Sequence, residues 1–206
     1  MKEIELNNPE VKKILDNFLQ WFKSIDTNLI KLKGVPDTDE YYTGEEYFEE
    51  VNKPDHVGFP EDSYGQDLTD IEATPIEWRD KIRKLDEDLK AALGSPTCAV
   101  KMYYPSNGFM GWHNNWNCPG YNILFSHTDN GKGFFRYKNP TTNETFTIPD
   151  KPGWTAKVGY YGSFEEHDKE NVYWHCARAY EDRLTLGFVI PDENMWEMMI
   201  EDISEK

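Results

Sequence analysis

Arg183-Leu184-Thr185-Leu186-Gly187-Phe188-Val189-Ile190 alternates along its whole length. Successive side chains of a strand point to opposite faces, so Leu184, Leu186, Phe188 and Ile190 share one side and Arg183, Thr185, Gly187 and Val189 the other. The apolar side needs a cover. The other side carries a guanidinium, and an unpaired charge inside a protein is too costly to retain. Its partner is either a dicarboxylic acid or an internal Asp or Glu, and spacing does not choose between them.

Amphipathic helices supply the cover. Asn8 suits a cap and Pro9 the first helical position, after which Val11, Ile14, Leu15, Phe18 and Phe22 recur at helical steps. Thr74-Pro75-Ile76-Glu77 reads as a capping box with proline in the first turn. Trp78, Ile82, Leu85, Leu89 and Leu93 then form one stripe that Gly94 ends. Asp192 suits the cap of a last helix, with Trp196, Met199, Ile200 and Ile203 on its apolar side. From Thr97 the grammar changes to short β runs. Strands are expected near Cys98–Tyr104, Tyr121–Thr128, Gly133–Tyr137, Thr145–Ile148, Trp154–Tyr161, Val172–Tyr180 and Arg183–Ile190, with a short pairing around His113. The expectation is one α+β domain over 1–206: a jelly roll (double-stranded β-helix) of about eight strands, backed by N-terminal helices, with a short C-terminal helix. Residues 1–95 hold the helical support and an acidic loop segment, 96–191 the jelly-roll core and 192–206 the last helix. The Arg183 side then looks into the space between two sheets.

Composition narrows the partners. With 22 basic and 38 acidic residues the net charge is −16, which repels phosphates and argues against nucleic acid or an anionic membrane. Cys98, Cys118 and Cys176 show no zinc-type spacing, and an odd number fits a reducing compartment better than a disulfide scaffold. The opening MKEIELNN has no apolar run of a leader and no stretch suits a membrane span, so a cytoplasmic protein is expected. Between Pro36 and Asp70 acids gather around Tyr41, Tyr42, Tyr47 and Phe48 without helical periodicity. That segment reads as a surface excursion pinned by its aromatics, or as a cover over a site.

Two histidines stand out. Gly111-Trp112-His113-Asn114-Asn115 is followed 62 residues later by His175 in Tyr173-Trp174-His175-Cys176, and Arg183 comes eight residues after that. Two imidazoles on short β runs make half of a metal site, with an arginine on the next strand as anchor for an acid. Taken with Tyr104-Pro105-Ser106-Asn107-Gly108 and Arg183-Leu184-Thr185, the ordered set resembles the iron(II)/2-oxoglutarate-dependent dioxygenases. The prolyl-hydroxylase-like branch and similar phage-encoded proteins are nearest, over roughly Thr97 to Ile190. The resemblance implies that His113, His175 and position 115 bind Fe(II), leaving three positions open for the oxo acid and dioxygen. It implies that Arg183 and Thr185 grip the distal carboxylate of 2-oxoglutarate, with Tyr104 and Asn122 as further donors. The implied reaction hydroxylates a peptidyl or amino-acid-like substrate, or another small molecule, releasing succinate and carbon dioxide.

The chain departs from that pattern at one position. The family has Asp or Glu two residues after the first histidine, and here stands Asn115. Asn115 then coordinates through its amide oxygen, leaves room for a halide, or marks a degenerate, non-catalytic jelly-roll binding domain. Asp129, Glu165, Glu166 and Asp168 are the loop carboxylates open as replacements. A cupin-type metalloenzyme fits less well, because its His-x-His spacing is absent. Arg178 falls on the opposite face from His175 and ranks below Arg183 as anchor. His56, His127 and His167 lack a matching context. Trp112, Trp116, Trp174 and Phe109 flank the site and are either substrate walls or packing.

Overall fold

The structure, a computed structural model, describes every residue except 54–57, 95–97, 116–117, 164, 166–167, 172 and 206. Its strands are β1 (Lys2–Ile4), β2 (Ser63–Tyr64), β3 (Gln66–Asp67), β4 (Val100–Tyr104), β5 (Phe109–His113) and β6 (Gly120–Thr128). After them come β7 (Gly133–Lys138), β8 (Thr145–Pro149), β9 (Gly153–Tyr161), β10 (His175–Ala179) and β11 (Arg183–Ile190). The helices are α1 (Pro9–Ser24), α2 (Glu45–Val51), α3 (Arg79–Leu93) and α4 (Glu193–Ser204).

Two antiparallel sheets form, ordered β1-β9-β6-β11-β4-β3 and β2-β5-β10-β7-β8. From β4 onward the chain crosses between them at nearly every connection, the signature of a jelly roll. Eight strands from β4 to β11 make the roll, as the sequence predicts. Strands β1, β2 and β3 extend the sheets at their edges, so the N-terminal part contributes strands as well as helices. Val172, at the expected start of β10, and Thr97 lie outside the described residues.

The large sheet buries its apolar face under three helices. Leu184, Leu186, Phe188 and Ile190 of β11 share one cluster with Val11, Leu15, Phe18 and Phe22 of α1, Ile82, Leu85, Leu89 and Leu93 of α3, and Met199 and Ile203 of α4. Asn8 caps α1 by accepting from Glu10 N at 2.9 Å and Val11 N at 3.0 Å, and Asp192 caps α4 by accepting from Met195 N at 2.8 Å. Gly94 ends α3 with φ 62, the left-handed conformation a glycine adopts without penalty.

The capping box at Thr74 does not form. Its hydroxyl donates backward to Asp70 O at 2.8 Å, and Pro75 is extended at ψ 139. The chain therefore enters through a 3-10 turn, Ile76–Trp78, before α3 begins at Arg79. The acidic stretch also holds more order than its periodicity shows. Helix α2 is too short for a repeating stripe, yet Tyr47, Phe48 and Val51 cover Trp112, Phe134 and Cys176 on the outer face of the small sheet. Buried Asp37 anchors this segment, accepting from Arg178 Nη1 at 2.8 Å and from the amides of Tyr41 and Tyr42. Helix α2 and the residues around Asp37 thus back the small sheet, behind the space between the sheets, whereas Phe59 and Pro60 of the same segment border that space.

Removing one partner of a buried ion pair strands the other charge. Asp37→Ala is expected to lower unfolding free energy by ~3–5 kcal/mol in urea titrations. A loss below ~1 kcal/mol would mean that the segment is not held by this pair.

Candidate active site

His113 ends β5 and His175 begins β10, directly opposite each other in register. Opposed residues of an antiparallel pair share a face. Their ring centroids stand 4.1 Å apart. The register slips by one residue between His175 and Ala177, so that β5 uses three residues where β10 uses two. This bulge puts both Met110 and His113 on the inner side while Trp112 turns outward. A side chain on Gly111 would press on Asp62 O at 3.0 Å and on the Tyr47 ring at 3.1 Å.

Each imidazole is oriented from behind. His113 Nδ1 lies 2.8 Å from Gly111 O and His175 Nδ1 lies 3.0 Å from Tyr173 O. A carbonyl only accepts, so Nδ1 carries the proton in both rings and the lone pair sits on Nε2, the form in which histidine binds metals. Burial, reinforced by neighbouring His113, holds the His175 pKa well below the ordinary imidazole value. The Tyr161 ring, 4.6 Å away, and the Phe135 ring, 5.7 Å away, pack His175 in place.

Both histidines line a cavity of about 370 Å³ between the sheets. Asn115, Tyr104, Asn122, Arg183 and Thr185 line it too, so every residue expected at the site borders one space. Asn115 follows β5 with φ 59, a left-handed conformation that asparagine tolerates. Among the described residues, no third His, Cys, Asp or Glu joins the pair to form a metal-binding group. Among the described residues the donor set is two imidazoles with an amide nearby, which fits a ferrous ion.

Arg183 is already engaged. Its Nε lies 2.9 Å from Asp150 Oδ2, off the N–H axis, so the contact is an ion pair rather than an aligned hydrogen bond. Its Nη2 reaches Ser126 Oγ at 3.4 Å and Asp150 Oδ1 at 3.5 Å. Of the two partners open to it in the sequence, the internal carboxylate holds its side edge. Thr185 Oγ1 and the Tyr161 hydroxyl are buried and have no hydrogen-bond partner among the described residues. Burial pushes the Tyr104 phenol up to about 12 and the Tyr161 phenol higher still, so both are neutral donors. Asn122 donates to Gly120 O at 2.9 Å, a strand-end bond within its own chain segment.

The flanking aromatics face away from the cavity. Trp112 donates to Gly44 O at 3.0 Å, Phe109 stacks on Tyr42 at 4.6 Å, and Trp174 meets Phe48 edge-on at 5.5 Å. All three pack the outer face, because Trp112 and Trp174 each adjoin an inward histidine and Phe109 adjoins inward Met110. The actual walls include Phe59, Met110, Leu124, Phe135, Tyr161 and Val189. Tyr161 escaped sequence reading, although the alternation of β9 places it on the same side as Lys157. Arg178 pairs with Asp37 on the outer face, and His127 sits against Trp154 on the helix side. Asp129 is exposed beside Lys23, and Asp168 binds Tyr160, Ser163 and Asn171, so neither borders the cavity. Glu165 does not border it either. Trp116, His56, His167 and Glu166 lie outside the described residues.

No family model and no curated protein matches the sequence. Among solved structures the chain is similar to a Pseudomonas putida prolyl-4-hydroxylase, at 13% identity and TM-score 0.42, over 92% of this chain and 90% of that one. It is also similar to a predicted oxalate decarboxylase from Thermotoga maritima, at 16% identity and TM-score 0.26, over 44% of this chain and 64% of that one. A third likeness is to CapF with the inhibitor 3-isopropenyl-tropolone, at 13% identity and TM-score 0.27, over 90% of this chain and 44% of that one. These likenesses are too distant to assign an activity, and the strand order alone carries the fold. No described helix is long and apolar enough to cross a membrane.

A buried hydroxyl without a partner costs roughly 1–3 kcal/mol, so Tyr161→Phe is expected to leave stability unchanged or raised in urea titrations. A loss above ~1 kcal/mol would show that the hydroxyl is bonded within the folded chain.

Proposed function

We propose that this protein is an iron(II)- and 2-oxoglutarate-dependent oxygenase, hydroxylating a peptidyl or amino-acid-like substrate with release of succinate and carbon dioxide. The observation that carries the reading is the facing pair His113 and His175, ring centroids 4.1 Å apart, each with Nδ1 against a backbone carbonyl. Iron(II) bound there supplies the activation of dioxygen and the oxidative decarboxylation of the chelated oxo acid.

The chain's own residues do the rest. His113 and His175 hold the metal, and Asn115 supports it directly or through water. Arg183 and Thr185 offer donors to the distal carboxylate of the acid, and Tyr104, whose ring lies 5.6 Å from the guanidinium carbon, closes that end. Phe135 and Tyr161 keep water from His175. Around half-exposed Phe59, the apolar lining at the mouth suits an uncharged part of a substrate. Since imidazole and amide donors are all neutral, the doubly anionic oxo acid balances the metal's charge. Metal and acid are therefore expected to bind together more tightly than either alone.

Anaerobic mixing with iron(II) and 2-oxoglutarate is expected to give the weak visible metal-to-ligand charge-transfer band, lost in His113→Ala and in His175→Ala. Asn115→Asp should tighten iron binding by about tenfold or more, as a carboxylate replaces a neutral donor. A chain without the band, whose iron affinity ignores all three substitutions, would be a jelly-roll binding domain instead. For the acid anchor, Arg183→Ala would strip buried Asp150 of a partner and threaten the fold. Arg183→Lys keeps the charge and loses the planar fork, and should cut substrate-uncoupled oxoglutarate turnover roughly 10-fold or more while the chain stays folded. Unchanged turnover would remove Arg183 from the acid site.

A further inference from the structure

An arginine neutralised by Asp150 has little to offer a bound acid. Asp150, however, serves two cations. While its Oδ2 faces Arg183 Nε at 2.9 Å, its Oδ1 lies 3.3 Å from Lys157 Nζ. All three side chains are sealed from solvent, at 2% exposure or less. Lys157 stands on the inner side of β9 and also touches Thr155 Oγ1 at 3.3 Å. The sealed trio thus holds two positive groups and one negative. Among the described residues no further carboxylate pairs with either cation. Glu3, opposite Lys157 in register on β1, acts on it from a distance but pairs with Lys151 at the more exposed rim, and Asp37 cancels Arg178 behind the small sheet. Thr185, two residues from Arg183 on the same face of β11, adds a buried hydroxyl that has no partner among the described residues.

We propose that Lys157 is the counterweight to Asp150: it offsets the carboxylate that grips Arg183, so the trio keeps one excess positive charge and the recess takes one carboxylate group of a dicarboxylate ligand. This rests on the acid-binding half of the oxygenase reading. Lys157 does not border the cavity and acts through Asp150, which makes it a positioning residue. Without it, Arg183 and Asp150 form a neutral pair whose pull on an anion is largely cancelled. With it, Asp150 fixes the guanidinium by its side edge at no net loss of charge. Burial first and the Arg183 charge second hold the Lys157 pKa below the ordinary lysine value, the strain expected of an uncompensated cation, which a bound carboxylate relieves.

The test is calorimetric titration of the full, metal-free chain with glutarate, a five-carbon dicarboxylate without the oxo group that chelates metal. Wild type should bind it. Lys157→Met and Lys157→Gln should each weaken binding at least ~10-fold, the scale of one unit charge acting over several ångströms in a protein interior. Adding Asp150→Asn to Lys157→Met should restore affinity to within about threefold, because the trio again carries one net positive charge. Asp150→Asn alone should bind no more weakly than wild type. Melting curves identify which variants are folded, and the single Asp150→Asn arm decides the matter if the double variant is not. The proposal is overturned if wild type ignores glutarate, if folded Lys157 variants bind it unchanged, or if removing Asp150 weakens binding. Metal plays no part in this titration, so its failure is distinct from a failed iron titration, and either result stands without the other.

Discussion

One extra residue in β5 decides which side chains of that strand face the cavity. Side chains three positions apart on a regular strand point to opposite faces, and Met110 and His113 are three apart. The bulge opposite β10 cancels that parity, so His113 faces inward across from His175 instead of outward beside Phe48. Gly111 and outward Trp112 occupy the bulge, and the Trp112 indole is tied to Gly44 O. The helix that covers the small sheet therefore also braces the strand that presents the first histidine. Fold support and site geometry meet in the same few residues.

Electrostatics divides the molecule into independent zones. The strongly acidic surface makes up most of the formal charge, yet the cavity holds no described carboxylate and is bordered by one guanidinium. Behind the small sheet, Arg178 and Asp37 balance each other and fasten the acidic segment. Between the sheets, Arg183, Asp150 and Lys157 leave a surplus. Burying such groups costs several kcal/mol apiece, so the arrangement persists only where each charge has a partner. The same low dielectric that makes the surplus expensive makes it effective toward an anion.

Much of this was legible in the chain. The alternation of Arg183–Ile190 revealed both the jelly-roll strand and the side facing the cavity, because period-two patterns report faces directly. Histidine spacing picked out two residues that the fold brings together. Where the sequence misled, the missing information was three-dimensional. Thr74 has the right composition for a capping box, but its hydroxyl is drawn into the preceding turn. Trp112 and Trp174 adjoin the histidines in sequence, and adjacency on a strand means opposite faces, while the bulge between Phe109 and His113 puts the Phe109 ring outside as well. Helix α2, only seven residues long, could not show a repeat. Asp150 sits just past β8, 33 residues from the arginine it binds, and no local pattern announces such a pair.

The central claim is that His113 and His175 hold one ferrous ion through their Nε2 atoms. X-ray absorption at the iron edge, on protein loaded with iron(II) and 2-oxoglutarate under anaerobic conditions, addresses it most directly. The account predicts the outer-shell scattering of two imidazole rings, reduced to one ring in either single histidine variant. Iron surrounded by oxygen alone, or a spectrum indifferent to both substitutions, would contradict it.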